Sequence, residues 1–307
     1  MSKILITGGA GFIGSAIISH LQDLDHEIFV IDNLSFGNRD FIAVDDEHFF
    51  NMDILHRDVM SLVIRKINPD KILHLAAIHF IPYCNQHPFE SAAVNIQGTI
   101  NLLDAAKETD CKQVLFASTA AVYPVFDTAV NENHPIGPMD IYGLSKLACE
   151  RLCNEFYLQT QITTVVCRFF NAFGPNETNP HLIPEIQKQI LSGNRKIKLG
   201  NLKPKRDFIH TYDMSSAMQM LMTKVNHGIS TFNIGSGTEY SVTEIVEAFE
   251  RQLGEKIEIE VDNTRVRTVE RMHLLADVAK LRTLGWEPKI SIDEGIKTLL
   301  EQDVAKE

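Results

Sequence analysis

Tyr142 and Lys146 stand four residues apart in the run Tyr142-Gly143-Leu144-Ser145-Lys146. On a helix that spacing is one turn, so a phenol and an ammonium share one face. A free tyrosine, with a pKa of about 10, is a poor base at neutral pH. A nearby ammonium favours the phenolate and lowers that pKa. Such a pair can take the proton of an alcohol while its carbon is oxidised. The spacing is common by chance, so its meaning depends on its neighbours. Ser118-Thr119-Ala120-Ala121-Val122-Tyr123 follows an apolar run ending at Ala117. Ser118 or Thr119 can hydrogen-bond a reacting oxygen there, at the carboxyl edge of a parallel sheet, where such folds bind ligands.

A second cluster lies at the start of the chain. Thr7-Gly8-Gly9-Ala10-Gly11-Phe12-Ile13-Gly14 places glycines at 8, 11 and 14 after a short apolar strand and before a helical pattern. The first glycine permits the tight turn, the second a close backbone approach to a pyrophosphate, and the third close helix–strand packing. The pyrophosphate then meets free N–H groups at the positive end of the helix. Asp32 ends the next strand, where a carboxylate accepts both ribose hydroxyls and repels a 2′-phosphate. That favours NAD over NADP. Arg39, in the following loop, could greet a 2′-phosphate.

The elements that position these groups alternate. Strands are expected at Lys3–Ile6, Glu27–Ile31, Lys71–Leu75, Gln113–Ala117 and Thr163–Arg168. Helices are expected over about Gly11–Leu24, Asn95–Lys107 and Tyr142–Leu158. Ile96, Ile100, Leu103 and Ala106 share one face of the middle helix. The alternation implies an α/β fold, a doubly wound parallel sheet of Rossmann type covered on both faces. Residues 1–171 are read as the dinucleotide-binding domain. After Gly174-Pro175 short strands, helices and turns mix, so 172–307 is read as a smaller α+β substrate domain. Segments near 205–213 and 229–236 are candidates to return to the first sheet.

Composition bounds the rest. A net charge of −11 over 307 residues argues against a general nucleic-acid binder, though arginines in a cleft can still hold an anion. The five cysteines form no CxxC pair, which suits a reducing compartment. Cys149 and Cys153 fit two buried thiols on one helix face better than a zinc or redox site. No compact histidine pattern suggests a metal. No secretion signal is visible and no apolar stretch approaches the roughly 20 residues that span a bilayer. A cytoplasmic protein without a membrane partner is expected.

Together these pieces resemble the extended short-chain dehydrogenase/reductases, in particular the NAD-dependent nucleotide-sugar epimerases and dehydratases. The resemblance runs through TGGAGFIG at 7–14, DNLS at 32–35, Asp53-Ile54, HLAA at 74–77, NIQGTINLLDAA at 95–106, STAAVY at 118–123, YGLSK at 142–146, RFFNAFGP at 168–175, RDFIHTYD at 206–213 and NIGSG at 233–237. It implies a catalytic trio of Thr119, Tyr142 and Lys146. It assigns NAD to Gly8, Gly11, Phe12, Ile13, Gly14, Asp32, Asn33, Ser35, Gly37, Asp53, Ile54, Leu75, Ala76, Ala77, Asn95, Lys146, Phe169 and Phe170. It assigns the nucleotide sugar to Thr119, Tyr142, Asn171, Leu182, Arg206, Arg267 and Glu270, with the two arginines as guanidinium contacts to the diphosphate. Arg265, Arg267 and Arg271 are crowded together, and Arg206 could instead pair with Asp207. Equivalent helices pair two copies in the family, so a homodimer is expected.

The resemblance also narrows the reaction. Sugar 4,6-dehydratases of the family carry an Asp-Glu pair where this chain has Ala120-Ala121, and alanine moves no proton. The chain is more similar there to UDP-glucose 4-epimerases, which remove a hydride from C4, turn the 4-keto sugar over and return it. His79, in Ala76-Ala77-Ile78-His79-Phe80, is a departure. It is either an additional acid, base or donor to the sugar, or a structural histidine at a loop start. Arg267-Thr268-Val269-Glu270 stands where relatives carry Arg-Pro-Gly-Asp. A 4-dehydrogenase or 4-ketoreductase, a 5,6-dehydratase (including one on a GDP-sugar), a 3,5-epimerisation after oxidation, or a non-catalytic NAD-binding protein remain alternatives. UDP is the favoured nucleotide.

Overall fold

The computed structural model describes residues 2–262 and 271–304. Its centre is a seven-stranded parallel sheet in the order β10-β6-β5-β4-β1-β2-β3. The strands are β1 (Ser2–Thr7), β2 (His26–Asp32), β3 (Phe49–Asn51), β4 (Lys71–His74), β5 (Gln113–Thr119), β6 (Thr163–Phe169) and β10 (Ile229–Ile234). Successive side chains of a strand face opposite ways, and the burial follows that period. Ile4 and Ile6 of β1 pack on one face with Ile17, Ile18, Met214 and Leu221; Leu5 packs on the other with Met60, Leu102 and Phe156.

The first face is covered by α1 (Phe12–Gln22) and α8 (Thr211–Lys224), which touch each other. The second is covered by α2 (Arg57–Ile67), α5 (Gly98–Ala106) and α6 (Ile141–Thr160). Short helices α3 (Ile81–Gln86) and α4 (Pro88–Ala92) and a π-helical turn (Ala93–Gln97) lead into α5. The helix expected from Asn95 is thus interrupted at its start. Leu103 and Ala106 are buried as expected, while Ile96 and Ile100 are only half-buried. Cys149 and Cys153 are free thiols in the core, and burial raises both pKa values.

The remaining strands build two small sheets. β7 (Asn171–Phe173), β9 (Lys205–His210) and β11 (Glu239–Ser241) form one, in the order β11-β9-β7. β8 (Lys196–Leu199) and β12 (Glu258–Val261) form the other. α7 (Leu182–Leu191), α9 (Val242–Leu253) and α11 (Ile292–Val304) pack around them, and α10 (Ala279–Arg282) lies against β10. Residues 229–234 do return to the first sheet, beside β6. The 205–213 segment divides: β9 pairs with β7 and β11, whereas the helix from Thr211 packs on α1. No helix among the described residues is long and apolar enough to cross a membrane.

Candidate active site

A cleft of 1360 Å³ runs over the carboxyl ends of β1, β2, β4 and β5 and continues between them and the small sheets. Its first end is the glycine loop. Gly8 has φ +73°, and a Cβ on Gly14 would lie 2.2 Å from the Gly8 carbonyl oxygen. Only glycine fits at both positions. Helix α1 begins at Phe12 without a side-chain cap, so its first N–H groups remain for an anion. Gly8, Gly11, Phe12, Ile13 and Gly14 all line the cleft.

Asp32 closes β2 and is buried, with one oxygen accepting from Ala10 N at 3.0 Å and the other from Leu34 N at 2.8 Å. Burial raises its pKa and those two bonds oppose the rise. Asn33 donates to Asp53 at 2.8 Å. Asn33, Ser35, Gly37, Asp53, Ile54, Leu75, Ala76, Ala77, Phe169 and Phe170 also border the cleft. Arg39 turns away: it donates to the Ile42 carbonyl and to Asp46 and stacks on Phe49. Asn95 is a correction. It is buried behind the cleft wall, bonded to both backbone groups of Ile78 and to Ser145 Oγ at 2.8–3.0 Å. It braces the loop after β4 instead of facing the cleft.

Tyr142 and Lys146 stand on α6, whose N-cap Asp140 accepts from Gly143 N at 2.7 Å. Both line the cleft with Thr119, Ala120 and Ala121. Thr119 beside the Tyr142 phenol pulls its pKa down, but burial is larger and raises it. Lys146 does not offset that burial as expected. Its ammonium donates to the Ala117 carbonyl at 2.7 Å beside the Phe116 ring, and burial lowers its pKa to about 8. Ser118 is a second correction. Its hydroxyl is buried and donates to Glu150, so it is not available to a reacting oxygen. The alternation of β5 explains the split between Ser118 and Thr119.

His79 lines the cleft. Asn179 Nδ2 donates to its Nε2 at 3.1 Å, and the Ala77 backbone favours the protonated ring. Burial, with His181 and Lys146, lowers its pKa to about 4. At neutral pH the lowered pKa keeps the ring uncharged.

At the second end, Asn171, Leu182 and Arg206 line the cleft. Arg206 donates to the Arg271 carbonyl at 2.6 Å and to the Lys205 carbonyl at 2.8 Å, and no Arg206–Asp207 ion pair is found among the described residues. Asp207 is buried, takes Ser236 N, Ser236 Oγ, Gly237 N and Ala276 N, and has its pKa raised to about 6 by burial. Arg267 and Glu270 lie outside the described residues, as does Arg265. Arg271, on the sequence only one of three crowded arginines, borders the cleft and donates to the carbonyls of Ala120 at 3.3 Å and Tyr123 at 3.0 Å. Glu177, Asn179 and His181 of the loop after β7 also border it, and no sequence spacing marks them. No cluster of three or more metal-binding side chains occurs among the described residues.

Known proteins resemble the whole chain. The family model described as GDP-mannose 4,6 dehydratase matches residues 5–299. A putative UDP-glucose 4-epimerase of Methanocaldococcus jannaschii is 32% identical over 303 residues, covering 97% of each chain. The UDP-glucose 4-epimerase of Thermotoga maritima, solved with UDP-glucose, superposes with a TM-score of 0.90 at 25% identity over 99% of each chain. That of Thermus thermophilus, solved with NAD, gives 0.88 at 26% identity over 97% of this chain and 98% of its own.

Proposed function

This chain belongs to the extended short-chain dehydrogenase/reductase family of NAD-dependent nucleotide-sugar epimerases and dehydratases, and we propose that it inverts C4 of a UDP-hexose by transient oxidation at that carbon. The observation that carries this reading is the Thr119–Tyr142 pair on a cleft floor completed by Ala120 and Ala121. Among the described residues of the floor, Tyr142 can take a hydroxyl proton, and Ala120 and Ala121 beside Thr119 cannot drive a 4,6-elimination.

The glycine loop fits a dinucleotide: the close approach of Gly14 to Gly8 and the uncapped α1 leave backbone N–H groups for a pyrophosphate. Asp32 takes the adenosine ribose, and Arg39, bound elsewhere, does not serve a 2′-phosphate, so the cofactor is NAD. NAD, when bound, supplies the hydride acceptor for C4 and a positive ring charge beside the phenol. Tyr142 Oη takes the proton of the 4-hydroxyl and later returns it. Thr119 Oγ1 hydrogen-bonds that same oxygen. Lys146 holds its charge at the floor through Ala117. Arg206, with Arg267 and Arg271, holds the diphosphate; Asn171, Leu182 and Glu270 position the nucleotide sugar. We read residues 1–171 as the cofactor domain, which also carries Thr119, Tyr142 and Asn171 to the sugar, and 172–307 as the sugar-nucleotide domain.

We also read the protein as cytoplasmic and as a homodimer. Leu144 and Leu158, both more than half exposed on α6, suit a helix that pairs with its copy.

The test is incubation of the purified protein with UDP-, GDP- and dTDP-hexoses, followed by NMR. Interconversion of UDP-glucose and UDP-galactose is expected. Accumulation of an unsaturated or 4-keto product instead would overturn epimerisation.

A further inference from the structure

The cleft holds a second titratable pair, opposite the loop after β4. Glu177 and His181 both lie in the segment between β7 and α7 and both line the cleft. The Glu177 side chain is only 3% exposed, and burial raises its pKa while His181 opposes the rise. Its Oε1 meets Nδ1 of His181. A carboxylate only accepts, so Nδ1 carries the hydrogen and Nε2 is the nitrogen that Glu177 leaves open. No other described residue bonds that nitrogen, and the His181 side chain is 43% exposed.

The place of this ring matters. Its centroid lies 6.2 Å from that of His79 and 5.5 Å from that of Phe80. His79 in turn feels the charge of Lys146. His181 therefore stands one ring beyond the wall that borders the Tyr142–Lys146 floor. The Nε2 of His79 is taken by Asn179. A buried carboxylate that fixes one nitrogen of a histidine and leaves the other open to a cleft is the arrangement of a general base. A surface ion pair would leave its carboxylate in water.

Oxidation at C4 of a sugar acidifies the C–H bonds at C3 and C5, because the electron pair left behind spreads onto the C4 oxygen. Ala120 and Ala121 cannot take such a proton. We propose that Glu177 and His181 form a second acid–base pair of this cleft, which removes and returns the proton at a carbon flanking a C4 ketone of the nucleotide sugar. The proposal rests on the reading that this site works on C4-oxidised sugars. In the step the C–H bond breaks, its proton goes to Nε2 of His181, and its electron pair forms an enolate with the C4 oxygen. Glu177 balances the imidazolium. Return of the proton restores the ketone, so no oxidant or reductant is consumed.

A ketone supplied ready-made separates this step from C4 oxidation. The protein as purified is incubated in D2O with UDP-4-keto-6-deoxyglucose, and the C3 and C5 protons are followed by NMR against buffer alone. Exchange at one of the two carbons faster than in buffer is expected. His181→Asn keeps an N–H for Glu177 and removes Nε2; exchange should fall about 100-fold. Glu177→Gln keeps an acceptor for Nδ1 without the charge and should slow exchange too, which decides the matter if the first variant does not fold. Exchange no faster than in buffer, or wild-type exchange in a folded variant, overturns the proposal. Failure of the UDP-hexose panel to show C4 inversion would instead strike the epimerase reading, since the supplied ketone needs no oxidation.

Discussion

Glu150 takes Arg168 Nε at 2.9 Å and Nη2 at 2.8 Å, a two-pronged ion pair sealed inside the protein. Glu150 sits one turn past Lys146 and two past Tyr142 on α6, and Arg168 is on β6. Ser118, next to Thr119, donates to the same carboxylate. Arg168 also donates to the Tyr123 hydroxyl at 2.9 Å, which donates on to Asn233 at 2.8 Å. The network thus joins the helix bearing the phenol to the strand bearing its threonine. Glu150→Ala leaves a buried guanidinium without its partner and should cost about 3–5 kcal/mol in urea unfolding. A loss below about 1 kcal/mol would contradict the account.

Ser118 and Thr119 should separate cleanly. Ser118→Ala removes one bond to a buried carboxylate and should cost about 1.5–3 kcal/mol of stability. It leaves every cleft contact in place, so kcat per folded molecule should hold. Thr119→Ala removes the phenol's partner and should lower kcat by about 10-fold or more, equivalent to about 1.4 kcal/mol of barrier. Steady-state kinetics beside thermal melts of both variants checks the pair; the reverse pattern would show that Ser118 faces the reaction.

The charge on Lys146 should leave a mark on the pH profile. Burial lowers its pKa from 10.5 to about 8. As pH rises, the folded protein releases this proton before the unfolded chain does. Between about pH 8 and 10.5 the unfolded state binds more proton, so this group's contribution to stability increases with pH across that window. Activity should do the opposite, with kcat/KM falling above pH 8 as the ammonium is lost. Lys146→Arg stays charged and should lose that limb whatever its absolute rate. A limb that persists in the arginine variant would belong to another group.

Cofactor choice should follow Asp32. Its oxygens still have capacity beyond Ala10 and Leu34 to accept ribose hydroxyls. Asp32→Ala removes a charged acceptor, worth about 1.5–3 kcal/mol, or about 10- to 100-fold in NAD affinity. Calorimetric titration with NAD and NADP reads both the loss and the change in preference. Equal NAD affinity in the two proteins would place the ribose elsewhere.

The dinucleotide half of this chain is legible in the sequence because its demands are steric and local. Gly8 and Gly14 tolerate no Cβ, Asp32 must end a strand, and Tyr142 must precede Lys146 by one turn. The sugar half is less so. Glu177, Asn179 and His181 come together through the path of a loop, which has no period to read. The hydroxyl of Ser118 and the amide of Asn95 look free in sequence, and only packing shows that Glu150 and Ile78 already hold them. Likewise the spacing of Tyr142 and Lys146 brings the two to one floor, but not the burial that opposes the phenolate.

The most direct test of the central claim uses UDP-glucose carrying deuterium at C4. If Tyr142 takes the hydroxyl proton while the C4 hydrogen leaves and returns as hydride, the UDP-galactose formed keeps its deuterium at C4, and Tyr142→Phe slows its formation by about 100-fold or more. Deuterium lost to solvent from C4, or an undiminished rate in the Tyr142→Phe protein, would contradict the account.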